Sequence, residues 1–409
     1  MAKEIYLLNI WGHDKPGITH NLTDVLSKYD AKVLDIGQAN IHDTLSLGMM
    51  FEIESGSNSA AALKDLLFMA YELGVKAKFT PITLENYENW VDLQGKDRYI
   101  VTILGEKLGA DQISKITKVI AEKNLNIDSI KRLTGRTSLI KKEEYPRACI
   151  QLSIRGGIGT ENKSDFNEKF MQISTELNVD IAFQEDNIYR RNRRLVCFDM
   201  DSTLIQAEVI DKLAELAGVG DEVKAITESA MEGEIEFKES FIRRMKLLKG
   251  LSEEVLHDVA VNLPITKGAR RLIDTLKSYG FKTAILSGGF TYFGHYLQKE
   301  LGMDYVYANQ LEIENGVLTG GYIGDIVDGN KKAEYLKEIA KKEGIDISQT
   351  IAVGDGANDL QMLNLAGLGI AFHAKPTVKD NAQNSISSIG LDGVLYLLGY
   401  HDRHIDLFK

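Results

Sequence analysis

The sequence is poor in the residues that staple or stiffen small folds. Of 409 residues only two are cysteine, Cys149 and Cys197, and five are proline. Two cysteines so placed make neither a disulfide framework nor a metal-ligand spacing, so the chain reads as one that folds on its own cores in a reducing compartment. Basic charge is in deficit: 48 Lys and Arg against 59 Asp and Glu leave a net charge of −11. That balance lacks the basic stripe that a phosphate-backbone binder requires, so no nucleic-acid partner is expected. The one basic cluster, Arg190, Arg191, Arg193 and Arg194, precedes an apolar strand and reads as a solvated linker. No apolar run approaches the ~20 residues that cross a bilayer. The N-terminus also lacks the apolar segment and cleavage site of a secretory signal. A cytoplasmic protein with no membrane partner is expected.

The length suggests two or three domains at ~150 residues each. Two N-terminal segments look alike. Tyr6–Ile10 is strand-like, and a helical pattern follows through Leu22, Val25 and Leu26, with further strands near 33–36 and 47–51. Tyr99–Ile103 opens a second copy, with a helix through Ile113, Ile116, Val119 and Ile120 and a strand at 127–130. Tyr6 and Tyr99 are 93 apart and Val25 and Val119 are 94 apart, so the offset holds over two elements, as an internal α+β repeat requires. Residues 85–97 and 185–194 read as linkers.

From Leu195 the pattern changes to short apolar strands alternating with helical segments, which predicts βαβ units and a parallel sheet. The strands are 195–198, 283–286, 350–353 and 369–372. A mostly helical stretch, about 208–263, is too long for a crossover and is expected to form a cap. The expected domains are 1–84, 97–184 and 195–409.

Three of the strands run into chemistry-bearing residues: Asp199-Met-Asp201-Ser-Thr203, Ser287-Gly288-Gly289, and Gly354-Asp355-Gly-Ala-Asn358-Asp359. Ligands of an open parallel sheet bind outside the carboxyl ends of its strands, so these should converge on one crevice. Alone, each reads equally well as a turn or a helix cap. Together, the carboxylates would repel one another without a cation, and an all-oxygen donor set favours Mg²⁺. The glycines let backbone N–H groups approach anionic oxygens. Residues 332, 336, 339 and 340 share one helix face (Lys, Leu, Ile, Ala), which turns Lys332 inward and leaves Lys331 solvated. The eight histidines show no metal pattern.

In this order the four motifs resemble those of the haloacid dehalogenase superfamily of phosphohydrolases, over roughly 195–400. Glu208 and a cap reading Ala230-Met231-Glu-Gly233, Phe237, Ser240 and Arg244 are similar to its phosphoserine phosphatase family. The resemblance implies a Rossmann-like α/β core with a helical cap inserted after the first strand. It implies that Asp199 is the nucleophile and that Asp201 acts as acid and then base. Mg²⁺ would be held by Asp199, the Asp201 carbonyl and Asp355, with Asn358 and Asp359 supporting that shell. Ser287, Gly288 and Lys332 would stabilise the phosphoryl oxygens, with Asn358 also lining the substrate site. Arg244 would take the substrate carboxylate and Glu208 its ammonium, and Met231 and Phe237 would exclude water. The substrate implied is phosphoserine and the expected reaction its hydrolysis, the last step of L-serine synthesis. Two alternatives remain open at this point: phosphate transfer to another alcohol such as homoserine, or an amino-acid sensor with an inactive phosphatase half.

The first N-terminal copy resembles an ACT domain, a ferredoxin-like βαββαβ fold that binds amino acids. Asp14-Lys-Pro16-Gly17 lies at its strand-to-helix turn, where Pro16 suits the first helical turn and Asp14 and Gly17 mark an effector site. A dimerisation platform that binds nothing is the plainer reading. The second copy lacks that Asp and Pro at Gly105–Ala110 and carries a polar insertion over 134–147. Feedback by L-serine through a homodimer is the resulting expectation.

Overall fold

The computed structural model describes residues 3–94, 97–136, 138–140, 146–156, 160–231 and 234–405. It divides into two compact units, 1–96 and 97–409.

In the first unit, strands β1 (Lys3–His13), β2 (Lys32–Ile41), β3 (Thr44–Glu54) and β4 (Lys76–Ile82) form an antiparallel sheet in the order β2-β3-β1-β4. Helices Ile18–Ser27 and Ser57–Glu72 close one face over Leu8, Ile10, Leu47, Met49 and Phe51. The period-2 alternation of β3, with every second residue buried, is what holds this register. Two expectations need correction here. Pro16 is not in the first helical turn: the helix begins at Ile18, and Gly17, at φ 93, makes the left-handed turn into it. The stretch 85–97 is not a plain linker either. Most of it is the helix Leu84–Gln94, started by Thr83, whose Oγ1 accepts from Asn86 N at 3.2 Å, and faced by a Tyr87–Trp90 ring pair.

The second unit opens with the repeat. Strands β5 (Arg98–Gly105), β6 (Asn126–Arg132), β7 (Ala148–Arg155) and β8 (Asp180–Glu185) take the same order, β6-β7-β5-β8. Even the irregularities correspond: the pairing slips at Val33/Asp35 in β2 and at Ile127/Ser129 in β6, and 127 − 33 = 94.

The rest of this unit carries a seven-stranded sheet of β9 (Leu195–Phe198), β10 (Lys282–Phe290), β11 (Tyr305–Glu314), β12 (Val317–Ile323), β13 (Thr350–Gly354), β14 (Leu368–Phe372) and β15 (Asn384–Ile386). The order is β12-β11-β10-β9-β13-β14-β15, parallel except for the antiparallel β11–β12 hairpin. Central β9 is buried along its length, with β10 on one side and β13 on the other, so the strand order reverses beside it. Ser287-Gly-Gly289 lies inside β10, not after it. Four helices, Val209–Ala217, Gly220–Met231, Phe237–Leu247 and Glu254–Val261, make the cap. Its two connections pair with each other: Ile205 bridges Ile265, Gln206 N donates to Pro264 O at 2.8 Å, and Thr266 N to Leu204 O at 2.9 Å.

The basic cluster is a further correction. Arg190 and Arg193 are each only 7% exposed, and Arg193 donates to the Ser348 and Thr350 carbonyls at 3.4 and 3.3 Å. The apolar stems of long basic side chains pack well at a domain joint, which is why a basic run need not be solvated. The polar insertion likewise has docked ends: Gly135 N donates to Asp402 at 2.7 Å and Arg147 pairs with Asp392 at 3.3 Å. Residues 137 and 141–145 of that insertion lie outside the described residues.

Candidate active site

β9 delivers Asp199 to the rim, and its N–H is tied to Val353 O of β13 at 2.8 Å. The chain then turns sharply through Met200–Leu204, with Ser202 in the left-handed region at φ 55. This turn sends Asp201 toward the cap, where its Oδ1 accepts from Val209 N at 2.9 Å, and sends Thr203 back to donate to Asp355 at 3.2 Å. Lys332 reaches the same point from the start of helix Gly329–Glu343. It is fully buried, and Nζ donates to Asp199 Oδ1 at 2.6 Å and to Asp359 Oδ1 at 2.7 Å. The buried stripe of that helix is the expected Lys332, Leu336, Ile339 and Ala340.

Asp199, Asp355 and Asp359 each offer an oxygen within 4.8 Å of the others. Asp359, expected only to support a metal shell, therefore stands in the cluster itself, whereas the Asp201 carboxylate points to the cap. Burial, then Asp359, pushes the Asp199 carboxyl well up. Burial, then Glu208, pushes Asp201 up to about 8. Asp355 rises to about 7 through burial and Asp359. Burial alone would lower the Lys332 ammonium, but Asp199 and Asp359 hold it above its usual range. A buried cluster in which each carboxylate discourages the next from ionising is one that a hard cation would relieve.

Ser287 is buried, and its Oγ accepts from Gly289 N at 2.9 Å. A Cβ on Gly289 would stand 2.5 Å from Asp201 Oδ2, so only glycine lets the two strand ends approach. Phe237 overlies Gly288: a Cβ there would meet Phe237 Cζ at 3.2 Å and Asn358 Nδ2 at 3.8 Å. Adjacent Arg243 and Arg244 part company. Arg243 faces out to Glu239, whereas Arg244 is half-buried and faces Asp211, Glu208 and Asp201. Burial lowers its guanidinium while those carboxylates oppose the change. Glu208 keeps accessible area at the mouth, accepts from Ser202 Oγ at 2.6 Å, and is pushed up by the atoms crowded around it. Met231 ends its cap helix, and its side chain, with Glu232 and Gly233, lies outside the described residues.

Asp14 and Gly17 lie in the first unit. Asp14 accepts from Asn40 Nδ2, and the Gly17 carbonyl accepts from Asn21 Nδ2 at 2.8 Å. Three site-region residues went unread in the sequence. Asp211 sits one helical turn beyond Glu208, on the same face, a spacing that could have found it. Ser202 stood within the first motif but was given no role there, and Asn309 gave no signal beyond being polar next to an apolar run.

A sheet reversal, a buried carboxylate paired with a buried lysine, and an inserted cap define a class, and the comparisons agree with it. The family model of the haloacid dehalogenase-like hydrolases matches residues 196–364, and two ACT domain models match 4–80 and 98–184. A phosphoserine phosphatase of Mycobacterium tuberculosis is 36% identical over 97% of this chain and 94% of its own length. One from Streptomyces coelicolor is 39% identical over 98% and 93%. The solved structure of a probable phosphoserine phosphatase from Vibrio cholerae superposes with a TM-score of 0.57 at 35% identity, covering 73% of this chain and 86% of that one. The chain belongs to the phosphoserine phosphatase family of haloacid dehalogenase-like hydrolases, with two ACT domains ahead of the hydrolase part.

Proposed function

We propose that the chain hydrolyses O-phospho-L-serine to L-serine and phosphate through an aspartyl phosphate on Asp199, completing L-serine synthesis. The observation that carries this reading is the buried Asp199–Lys332–Asp359 group, with the cap's Arg244 facing Glu208 and Asp201. An Asp199 oxygen attacks phosphorus, and the bond from phosphorus to the seryl oxygen breaks. Asp201, a carboxyl pushed up to about 8 and so protonated at neutral pH, gives its proton to that oxygen. As carboxylate it then takes a proton from water, whose oxygen attacks phosphorus and frees Asp199. Lys332 and the backbone at Ser287 and Gly288 neutralise the phosphoryl oxygens through both halves.

The carboxylate donor set fits Mg²⁺, with Asp199, Asp355 and the Asp201 carbonyl as its holders, Asp359 beside them and Asn358 in support. When bound, Mg²⁺ would offset the negative charge of phosphate and carboxylates. Arg244 suits the substrate carboxylate bidentately and Glu208 the ammonium, which selects a small zwitterion. Phe237 covers the phosphoryl site, and Met231 is assigned the same role. The two thiols are free and buried, and no helix among the described residues is long and apolar enough to cross a membrane; both fit a cytoplasmic enzyme. The outer edge of β2, with Val33, Ile36 and Ile41 exposed, supports a homodimer. The turn at Asp14–Gly17 supports L-serine as effector.

The test is phosphate release from a panel of phosphomonoesters by the full chain, with and without Mg²⁺, against Asp199→Asn. Phosphoserine should be preferred, and the variant should release nothing from any ester. Calorimetric titration of L-serine into the full chain and into Asp14→Ala tests the effector site; equal heats from both would remove it.

A further inference from the structure

The phosphoryl-binding groups come from two separate segments. Ser287 and Gly288 lie near the end of β10, and Lys332 lies in the first turn of a helix more than forty residues later, after the β11–β12 hairpin. Something must hold these segments at one spacing, because a phosphoryl group touches both. Asn309, on β11 and paired with Phe290 of β10, is placed to do this. Its Nδ2 donates to Gly288 O at 2.7 Å, and its Oδ1 accepts from Val327 N at 2.8 Å. It is 2% exposed. Val327 immediately precedes Asp328, which caps the lysine-bearing helix by accepting from Lys331 N at 2.9 Å.

We infer that Asn309 is a positioning residue that clamps the Gly288 segment and the approach to the Lys332 helix into one phosphoryl cradle. The inference rests on the phosphatase reading above and deepens it. An amide suits the role because it donates on one side and accepts on the other, so both backbone groups are satisfied without a buried charge. No contact runs from Asn309 to the reacting atoms. Its effect passes through the peptide that joins Gly288 to Gly289: holding the Gly288 carbonyl fixes that plane, whose Gly289 N–H donates to Ser287 Oγ at 2.9 Å. A polar residue within a strand has an ordinary structural role too, so the test separates the two.

Full-length Asn309→Ala, Asn309→Asp and a control, Asn384→Ala, would be compared in Mg²⁺ by thermal melting, inorganic phosphate binding by calorimetry, and kcat and KM for phosphoserine. Asn384 is another buried asparagine of this sheet, bonded to Gly369 O at 3.4 Å and distant in the fold from Gly288. Asn309→Ala should weaken phosphate binding by roughly tenfold or more and lower kcat on the order of tenfold to a hundredfold. Asn384→Ala should change melting while leaving both within about twofold, as a packing defect remote from the cradle would. Asn309→Asp keeps the acceptor toward Val327 but loses the donor toward Gly288. It should also lose phosphate affinity, and it decides the matter if the alanine variant does not fold. Wild-type phosphate binding in a folded Asn309 variant would overturn the clamp. Because phosphate binding is read without turnover, a chain that binds phosphate but leaves phosphoserine intact would refute the proposed reaction and not the clamp.

Discussion

Lys332 Nζ lies between Asp199 and Asp359 with no exposed area, so its charge is compensated entirely by those two carboxylates. Removing one partner of a buried ionic group leaves the others uncompensated, at a cost of about 3–5 kcal/mol. Lys332→Ala should therefore lower stability by that amount in denaturant titration as well as abolish turnover; an inactive variant of unchanged stability would show that the lysine is not compensated as described. On the proposed reading Arg244 makes a different kind of contribution, because it faces Asp211, Glu208 and Asp201 and not the Asp199–Lys332 pair. Arg244→Ala should raise KM for phosphoserine by about thirtyfold, the equivalent of ~2 kcal/mol, with little change on p-nitrophenyl phosphate. Equal losses on both esters would contradict the carboxylate clamp. The inward place of Lys332 was legible in the sequence from its apolar helix stripe, whereas Arg244 was singled out by the resemblance of the cap motif. Asn309 stood out by neither. Its two partners are 21 and 18 residues away in the chain, and a polar residue in a strand gives no hint that both its ends are bonded.

At the scale of elements, the rim of β9, β10 and β13 concentrates carboxylates that the sequence could place only at strand ends. The raised carboxyls of Asp201, at about 8, and Asp355, at about 7, carry a linkage consequence. A carboxyl raised on folding binds its proton more tightly in the native state, so its contribution is full below the unfolded value near ~4 and fades as pH climbs through the folded one. Without divalent metal, the melting temperature should fall between about pH 4 and 8 and level off above that, and Mg²⁺ should restore more at the alkaline end. A chelated protein whose melting is flat over that range would contradict the cluster. The sheet itself was only partly legible. Its parallel strands announce themselves by apolar runs followed by helices. The β11–β12 hairpin did not fit that alternation, although Asn315-Gly316, at φ 52 and 76, carries the turn signal for it. The helix Leu84–Gln94 was hidden because its apolar residues, Leu84, Tyr87, Trp90, Val91 and Leu93, are interleaved with Glu85, Asn86, Glu88, Asn89 and Asp92, so the stretch reads as polar.

At the scale of the molecule, the second ACT domain is fused to the hydrolase part. Leu104, Leu133, Cys149 and Ala182 join the same buried cluster as the phosphatase sheet. Asp180 is buried and accepts from Ser387 N, Ser388 N and Ser388 Oγ at 2.7, 2.8 and 2.5 Å. Arg271 ties Asp392 and Asp402 together at 2.7 and 2.8 Å beside the docked insertion. Residues 97–409 accordingly form one compact unit, in which the two domains expected on either side of the 185–194 stretch share a buried cluster. A chain beginning at residue 97 should melt cooperatively and hydrolyse phosphoserine. One beginning at 195 exposes the apolar seam and should aggregate or melt well below it; equal melting of the two would contradict the fused core.

Every step of the proposed reaction depends on a phosphoryl group residing on one carboxylate, and mass spectrometry of the full chain, quenched in acid during turnover of phosphoserine with Mg²⁺, reads that directly. The peptide containing Asp199 should carry one added phosphoryl group that mild base removes, and the Asp199→Asn chain should carry none. An adduct on another residue, or turnover without any adduct on Asp199 under conditions that trap the intermediate, would contradict the account.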